Sequence, residues 1–311
     1  MLSPPRASPQ RCFGTVANGH IANEQMQLAL ALLRRSSWLY AESSIRSSRT
    51  KSTVSSLSAS LAPYPFQEEA IGRLLEPGRR GLLLADEMGL GKTVSVISAI
   101  DREPAIGRVL VIAPKSVLPA WRCELSRWLT RPLSVGLASA AAGMPDELPD
   151  VLLLNYEMVH KHRAQLDALE WDVLVCDEAH FLKNPDAQRT QALLGRTTSK
   201  ADCPGALRAS RVWFLTGSPV LNNPIELFPL LRTLDPRGQT LPALSSFAAF
   251  RDRYCGRQDT PWGVTYKGSR NSAELRAKLR GELAGAPPLM LRRTKVRVRV
   301  RVRVRVSSPK R

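Results

Sequence analysis

Aromatic side chains are scarce in this sequence, at 6% of its 311 residues, and it holds only four histidines. No apolar run approaches the roughly 18 residues that a bilayer-spanning helix needs. A helical membrane protein is excluded on that ground, and a soluble chain with no membrane contact is expected. Cysteine is sparse: Cys12, Cys123, Cys176, Cys203 and Cys255 are odd in number and scattered, and none forms a Cys-x-x-Cys pair. His160 and His162 have no cysteine nearby in sequence. These gaps argue against a disulfide framework and a zinc site, and suit a reducing compartment. Acidic residues are few at both ends. Residues 1–60 carry +5 and residues 296–311 carry +7, so only +6 of the net +18 falls on residues 61–295. That middle part is mildly cationic, as a surface meeting a polyanion would be.

Hydrophobic residues make up 43% of the chain, enough to bury a core. They are unevenly spread. Residues 1–60 hold thirteen Ser and six Arg around one short apolar stretch, MQLALALL. Disorder is expected there. An organellar transit peptide is the alternative, since the segment is rich in Arg and Ser and poor in acids, though it lacks a convincing amphipathic helix. At the other end VRVRVRVRVRV (296–306) alternates strictly. As a strand it would present Val on one face and Arg on the other, suited to nucleic acid. A translated simple repeat without evolved structure is the expected reading.

Between the ends, five short apolar runs recur: GLLLA (81–85), RVLVIA (108–113), VLLLN (151–155), DVLVCD (172–177) and RVWFLT (211–216). Apolar on successive positions, they fit strands buried on both faces of a parallel sheet. Segments with helical spacing lie among them, including TVSVISAI, LPAWRCELSRWL and AQRTQALL. Strands alternating with helices predict an α/β, doubly wound parallel sheet with helices on both faces. Residues 195–210, rich in Gly, Ser, Thr and charge, read as a surface loop.

Three segments carry chemistry. In GLLLADEMGLGKTVSVISAI a buried strand leads through a glycine-containing loop into a helix beginning near Lys92. That arrangement points backbone amides at an anion, and the glycines let the backbone come close. Lys92 would reach the β/γ-phosphates and the Thr93 hydroxyl would bind Mg²⁺. The strict G-x-x-x-x-G-K-[ST] pattern fails, because Asp86 stands where its first Gly belongs. In DVLVCDEAHFLKN a strand delivers Asp177 and Glu178 at its carboxyl end, where α/β sheets bind ligands. Asp177 could hold Mg²⁺, and Glu178 could position or deprotonate a water. In RVWFLTGSPVLNN, Thr216 and Ser218 follow a third strand. Their hydroxyls could bond the acidic motif and sense the γ-phosphate. Each string alone is weak; their order gives them weight.

Together these motifs resemble the Snf2 family of helicase superfamily 2, over residues 61–295. DEMGLGKT is that family's form of the phosphate loop, which accounts for Asp86. The resemblance implies a RecA-like ATP-binding lobe, ATP and Mg²⁺ as cofactors, and nucleotide contacts from Asp86, Glu87, Met88, Gly89, Leu90, Gly91, Lys92 and Thr93. PYPFQEEAI resembles the upstream adenine-reading motif and makes Gln67 the candidate for the adenine edge. VLVIAPKSVLPAWRCELSRW resembles the next motif, whose Pro114, Lys115 and Ser116 would face a DNA backbone. LLNYEMV resembles the one after it, with Asn155 where Ser or Thr is usual. LTGSPVLNNPIELFPLL and MLRRTK complete the lobe. RYC, PWG and YKGSRNSAEL, between 253 and 275, resemble the annealing-helicase, fork-remodelling branch.

The resemblance implies hydrolysis by in-line attack of water, with Lys92 and Mg²⁺ neutralising charge and Glu178 orienting the water. His180, Thr216 and Ser218 would couple the site to double-stranded or forked DNA, contacted through its phosphates, and a nuclear location is expected. In that family a second lobe supplies arginines to the γ-phosphate. No second-lobe motif follows Lys295 here, so a chain that binds nucleotide and hardly turns it over is one rival expectation. Two others are a P-loop kinase or small NTPase, and a basic protein that binds DNA through its ends alone.

Overall fold

The computed structural model describes residues 62–139, 143–195, 205–218, 223–261, 263–282 and 287–295. The expected disorder or transit peptide of residues 1–60 and the Val–Arg repeat lie outside the described residues, as does most of the expected loop at 195–210.

The five apolar runs form β1 (Gly81–Leu84), β2 (Val109–Ala113), β4 (Val151–Asn155), β5 (Trp171–Cys176) and β6 (Ala209–Leu215). With the short edge strands β3 (Val135–Leu137) and β9 (Met290–Leu291) they build a seven-stranded sheet in the order β3-β4-β2-β5-β6-β1-β9. Every pairing in it is parallel. β1, β2 and β4 are buried along their whole length. The reason is two separate cores. Leu83, Leu110, Ile112, Leu152, Leu154 and Phe214 point into one, while Leu82, Val109, Val111, Val151, Leu153 and Trp213 point into the other. A strand buried on both faces gains no polar side, so it reads as a continuous apolar run.

Helices α1 (Pro65–Leu74), α2 (Lys92–Arg102) and α3 (Leu118–Trp128) cover one face, contributing Ile71, Leu74, Ile97, Ile100, Trp121 and Leu125 to its core. The opposite face is covered by α4 (Tyr156–Val159), α5 (Arg163–Asp167), α6 (Gln188–Leu194) and α7 (Phe228–Leu234). The doubly wound parallel sheet predicted from the sequence is what the chain forms.

Three features differ from the prediction. β6 begins at Ala209, inside the segment read as loop, because its backbone pairs with Trp171 of β5. β3 and β9 went unread, being only three and two residues long. Beyond α7 come α8 (Phe247–Tyr254), a hairpin of β7 (Cys255–Thr260) and β8 (Gly263–Ser269), and α9 (Ser272–Arg280). The hairpin is antiparallel and apart from the main sheet. No described helix is long and apolar enough to cross a membrane.

Candidate functional site

β1 and β5 flank β6, so the loops leaving their carboxyl ends emerge almost side by side. The β1 loop is the glycine-containing segment. Gly89 and Gly91 have φ of 81° and 73°, a left-handed conformation that side chains other than glycine disfavour. Gly91 caps α2, which starts at Lys92 as predicted. The amides of Gly89, Gly91, Lys92 and Thr93 donate to no group among the described residues. Four unmet donors at a helix N-terminus fit an anion such as a phosphate.

Lys92 crosses beneath this loop. Its Nζ donates to the carbonyl of Asp86 at 2.8 Å and reaches that of Glu87 at 3.5 Å. Burial lowers its pKa, opposed by the charges of Asp177, Glu178 and Asp86. An ammonium held among carbonyls and carboxylates is poised to exchange one of these partners for a phosphate. The Thr93 hydroxyl has no partner among the described residues.

The β5 loop is built differently. Asp177 is buried, at 7% exposure. Its Oδ2 accepts from the indole Nε1 of Trp121 at 2.8 Å, its Oδ1 from the amide of Glu178 at 2.8 Å, and its carbonyl from the Tyr156 hydroxyl at 2.6 Å. Burial pushes its carboxyl above the usual range, while the Trp121 bond pulls it down. Glu178 adopts φ 49° and ψ 51°. For a residue with a side chain such a backbone costs on the order of 1–3 kcal/mol, and it turns the carboxylate out of the strand direction. Glu178 then meets His180, whose Nδ1 lies 3.1 Å from its Oε2. The bond from His180 holds the Glu178 carboxyl below its usual range, against partial burial.

Tyr156 and Phe181 stack with ring centroids 5.3 Å apart, bracing the turn from α4. Asn155, noted in the sequence as a departure from Ser or Thr, caps that helix, its Oδ1 accepting from the Met158 amide at 2.9 Å. Sequence reasoning assigned no role to Trp121 or Tyr156. Both lay within quoted motifs, but nothing local signals that they reach Asp177.

Thr216 is buried at the end of β6, and its Oγ1 accepts from the Ser218 amide at 3.3 Å. Neither hydroxyl bonds Asp177 or Glu178, so the expected link to the acidic motif is not present as a direct contact. Instead Thr216, Ser218, His180 and Lys183 line one small cleft. Gly217 lies under the phosphate loop, where a Cβ would come 2.5 Å from Cγ of Met88.

Gln67 packs against Gly91. Its Oε1 accepts from the Tyr64 amide at 2.9 Å and its Nε2 donates to the Leu90 carbonyl at 3.2 Å. One N–H and one lone pair of its carboxamide are left over for an adenine edge. The Asp86 carboxylate, expected among the nucleotide contacts, faces away to the guanidinium of Arg293, because a carboxylate at 1% exposure needs a cation. Glu87 turns its Oε2 to the amide of Lys295 at 2.6 Å. Pro114 is half-buried, and Lys115 and Ser116 are exposed just past the carboxyl end of β2.

The SNF2-related domain model matches residues 37–307. The chain belongs to that family. Among curated proteins it is 33% identical over 236 residues to a SWI/SNF-related matrix-associated actin-dependent regulator of chromatin subfamily A-like protein 1 from Bos taurus, covering 74% of this chain and 22% of the relative. It is 30% identical over 252 residues to the DNA repair and recombination protein RAD54B of Gallus gallus, covering 74% and 26%. Among solved structures it resembles the Sulfolobus solfataricus SWI2/SNF2 ATPase core in complex with dsDNA. There the TM-score is 0.56 at 28% identity, over 76% of this chain and 46% of the other. The chain thus spans about a quarter or less of these curated relatives and under half of that core. The sheet described above is the RecA-like α/β fold of an SNF2 ATPase core.

Proposed function

We propose that residues 61–295 are the ATP-binding lobe of an ATP-dependent translocase on double-stranded DNA, with residues 1–60 and 296–311 as appendages to it. The observation that carries this reading is the meeting of two unlike loops. Unmet amides and Lys92 face a buried Asp177 and a turned-out Glu178 across the end of one sheet.

MgATP would supply the γ-phosphoryl group and the cation's charge. The protein's own groups divide the remaining work. The amides of Gly89, Gly91, Lys92 and Thr93 cradle the phosphates, and Lys92 trades a carbonyl for a phosphate oxygen. Thr93 and Asp177 would hold the cation, and Trp121 keeps the Asp177 carboxylate aimed. Glu178, its pKa held low by His180, is ionised and accepts a hydrogen bond from the attacking water. His180, Thr216 and Ser218 line the cleft through which the site would sense DNA. Gln67 and the loop residues from Asp86 to Leu90 frame the adenine side and the phosphate stalk.

Pro114, Lys115 and Ser116 would meet the DNA backbone, giving binding that depends on salt and is indifferent to sequence. The relative named as a regulator of chromatin and the one named for DNA repair and recombination support a nuclear role. A fork-remodelling, annealing-type action fits the segment between 253 and 275. In phosphoryl transfer an arginine reaching across the cleft contributes on the order of 10³–10⁵ in rate. The described residues place none across it, so the 311 residues alone would bind ATP and turn it over slowly. Phosphate release with and without duplex or forked DNA tests this. Slow turnover, abolished by Glu178→Gln, is expected. Tight DNA binding by residues 1–60 and 296–311 with none by residues 61–295 would contradict it.

A further inference from the structure

The phosphate loop does not rise freely from β1. Leu83 donates to the carbonyl of Leu289 at 3.0 Å, Ala85 to Leu291 at 2.7 Å and Glu87 to Arg293 at 3.0 Å. This ladder of two-residue steps carries the β1–β9 pairing past the end of β1 and into the loop itself. Residues 289–295 therefore run beside the loop's stalk as its outer neighbour.

Side chains lock the same seam. The Arg293 amide donates to Asp86 Oδ1 at 2.8 Å. Its Nε lies 3.0 and 3.1 Å from the two Asp86 oxygens, and Nη2 donates to Oδ2. The other edge of the guanidinium turns to α1. Nη1 donates to the Phe66 carbonyl and lies 3.5 Å from Glu69 Oε2, and the cation sits 5.6 Å from the Phe66 ring centre. One side chain thus joins the stalk of the phosphate loop to the helix that carries Gln67. Two residues on, the Lys295 amide donates to Glu87 Oε2, and its ammonium lies 3.4 Å from where a Cβ on Gly89 would stand.

A buried ion pair is weak evidence for stability, because desolvating both partners offsets most of the attraction. A pair at this place makes better sense as a geometric device. The guanidinium's rigid fork fixes direction as well as charge. We propose that Arg293 is a positioning residue of the nucleotide site: by clamping Asp86 and α1 together it sets the opening of the phosphate loop, and it links that loop to residues 289–295. This rests on the reading that the loop binds nucleotide. It makes Asp86 a strut and not a phosphate ligand. It also makes the coupling reciprocal: nucleotide that orders the loop must steady residues 289–295, and loosening that segment must weaken nucleotide binding by the same factor.

Hydrogen exchange and calorimetry on the full chain test the proposal, using wild type, Arg293→Ala and Arg293→Lys with a non-hydrolysable ATP analogue and Mg²⁺. In wild type, the analogue should slow exchange at 289–295 as well as at 86–93. In Arg293→Ala without nucleotide, 86–93 should exchange faster while β2, β4 and β5 stay protected. Affinity should fall about tenfold, or about 1.4 kcal/mol. Arg293→Lys, which keeps charge without the fork, should fall between, and it carries the comparison should the alanine variant not fold. Unchanged loop exchange in both variants would overturn the proposal, and so would protection lost evenly across the sheet. If wild type bound no nucleotide, the functional reading would fail. The exchange of 86–93 in the nucleotide-free proteins would still decide the role of Arg293.

Discussion

In the phosphate loop the amides of Gly89, Gly91, Lys92 and Thr93 and the Thr93 hydroxyl have no partner among the described residues. In the acidic turn two strands away, both carboxylate oxygens and the carbonyl of Asp177 are bound within the protein. One side of the site keeps amide donors open, while on the other each carboxylate oxygen of Asp177 already accepts a bond. Under the proposed function the two sides do different jobs. A loop that must receive an anion keeps its donors open and relies on glycine for shape. A carboxylate that must hold its direction while buried needs every acceptor satisfied, since an unpaired buried acceptor is costly. The contrast implies that substitutions in the loop impair binding more than folding, and that substitutions behind the acidic turn do the reverse.

The largest effect on folding is expected at Trp121. Trp121→Phe keeps most of the packing but leaves Asp177 Oδ2 buried without its donor. A loss of about 1–3 kcal/mol is expected, the cost of an unsatisfied buried acceptor, read by urea denaturation. If the variant is as stable as wild type, the acidic turn is not held as described.

A smaller effect follows pH. Glu178 has its folded pKa depressed below the ordinary 4.5, chiefly by the bond from His180. Its contribution to stability is therefore fully present above about 4.5 and is lost as pH falls through the folded value. Glu178→Gln should cost less than about 1 kcal/mol near pH 7, since the pair is partly exposed and screened. Wild type and variant should converge as pH falls through that folded value, as measured by denaturation at pH 7 and across the acid range. A gap that widens on acidification would reverse the sign argued here.

The smallest expected effect is at the proposed DNA contact. Lys115→Ala, in a chain shortened to residues 61–295, should lower the slope of log affinity against log salt by about 1, similarly for all sequences. Fluorescence anisotropy at several salt concentrations reads it. An unchanged slope would remove Lys115 from the interface.

Much of this fold was legible in the sequence because the central strands are buried on both faces. Burial on one face only, or hardly any, hid the rest. Val135 in β3 is exposed, and β9 is two residues whose place is fixed by backbone bonds to β1. That Lys92, Asp177 and Glu178 would come together was legible because their motifs sit at strand ends. Trp121 and Arg293 were not: each meets its partner across 56 and 207 residues of sequence, so only the folded sheet brings them together. The pairing of Asp86 with Arg293 was hidden for the same reason. A motif shows which residues adjoin in sequence, not which way each side chain turns.

The contrast between the two loops is tested most directly by titrating a non-hydrolysable ATP analogue with Mg²⁺ into wild type, Lys92→Ala and Glu178→Gln in one calorimetric series. Removing the ammonium takes away a charge-assisted bond, so affinity should fall about 10- to 100-fold, or about 1.4–2.7 kcal/mol. Glu178→Gln should bind within about threefold of wild type, since in the proposed arrangement Glu178 would bond the attacking water and not the phosphate. Equal affinities for wild type and Lys92→Ala, or a greater loss in Glu178→Gln than in Lys92→Ala, would contradict the account.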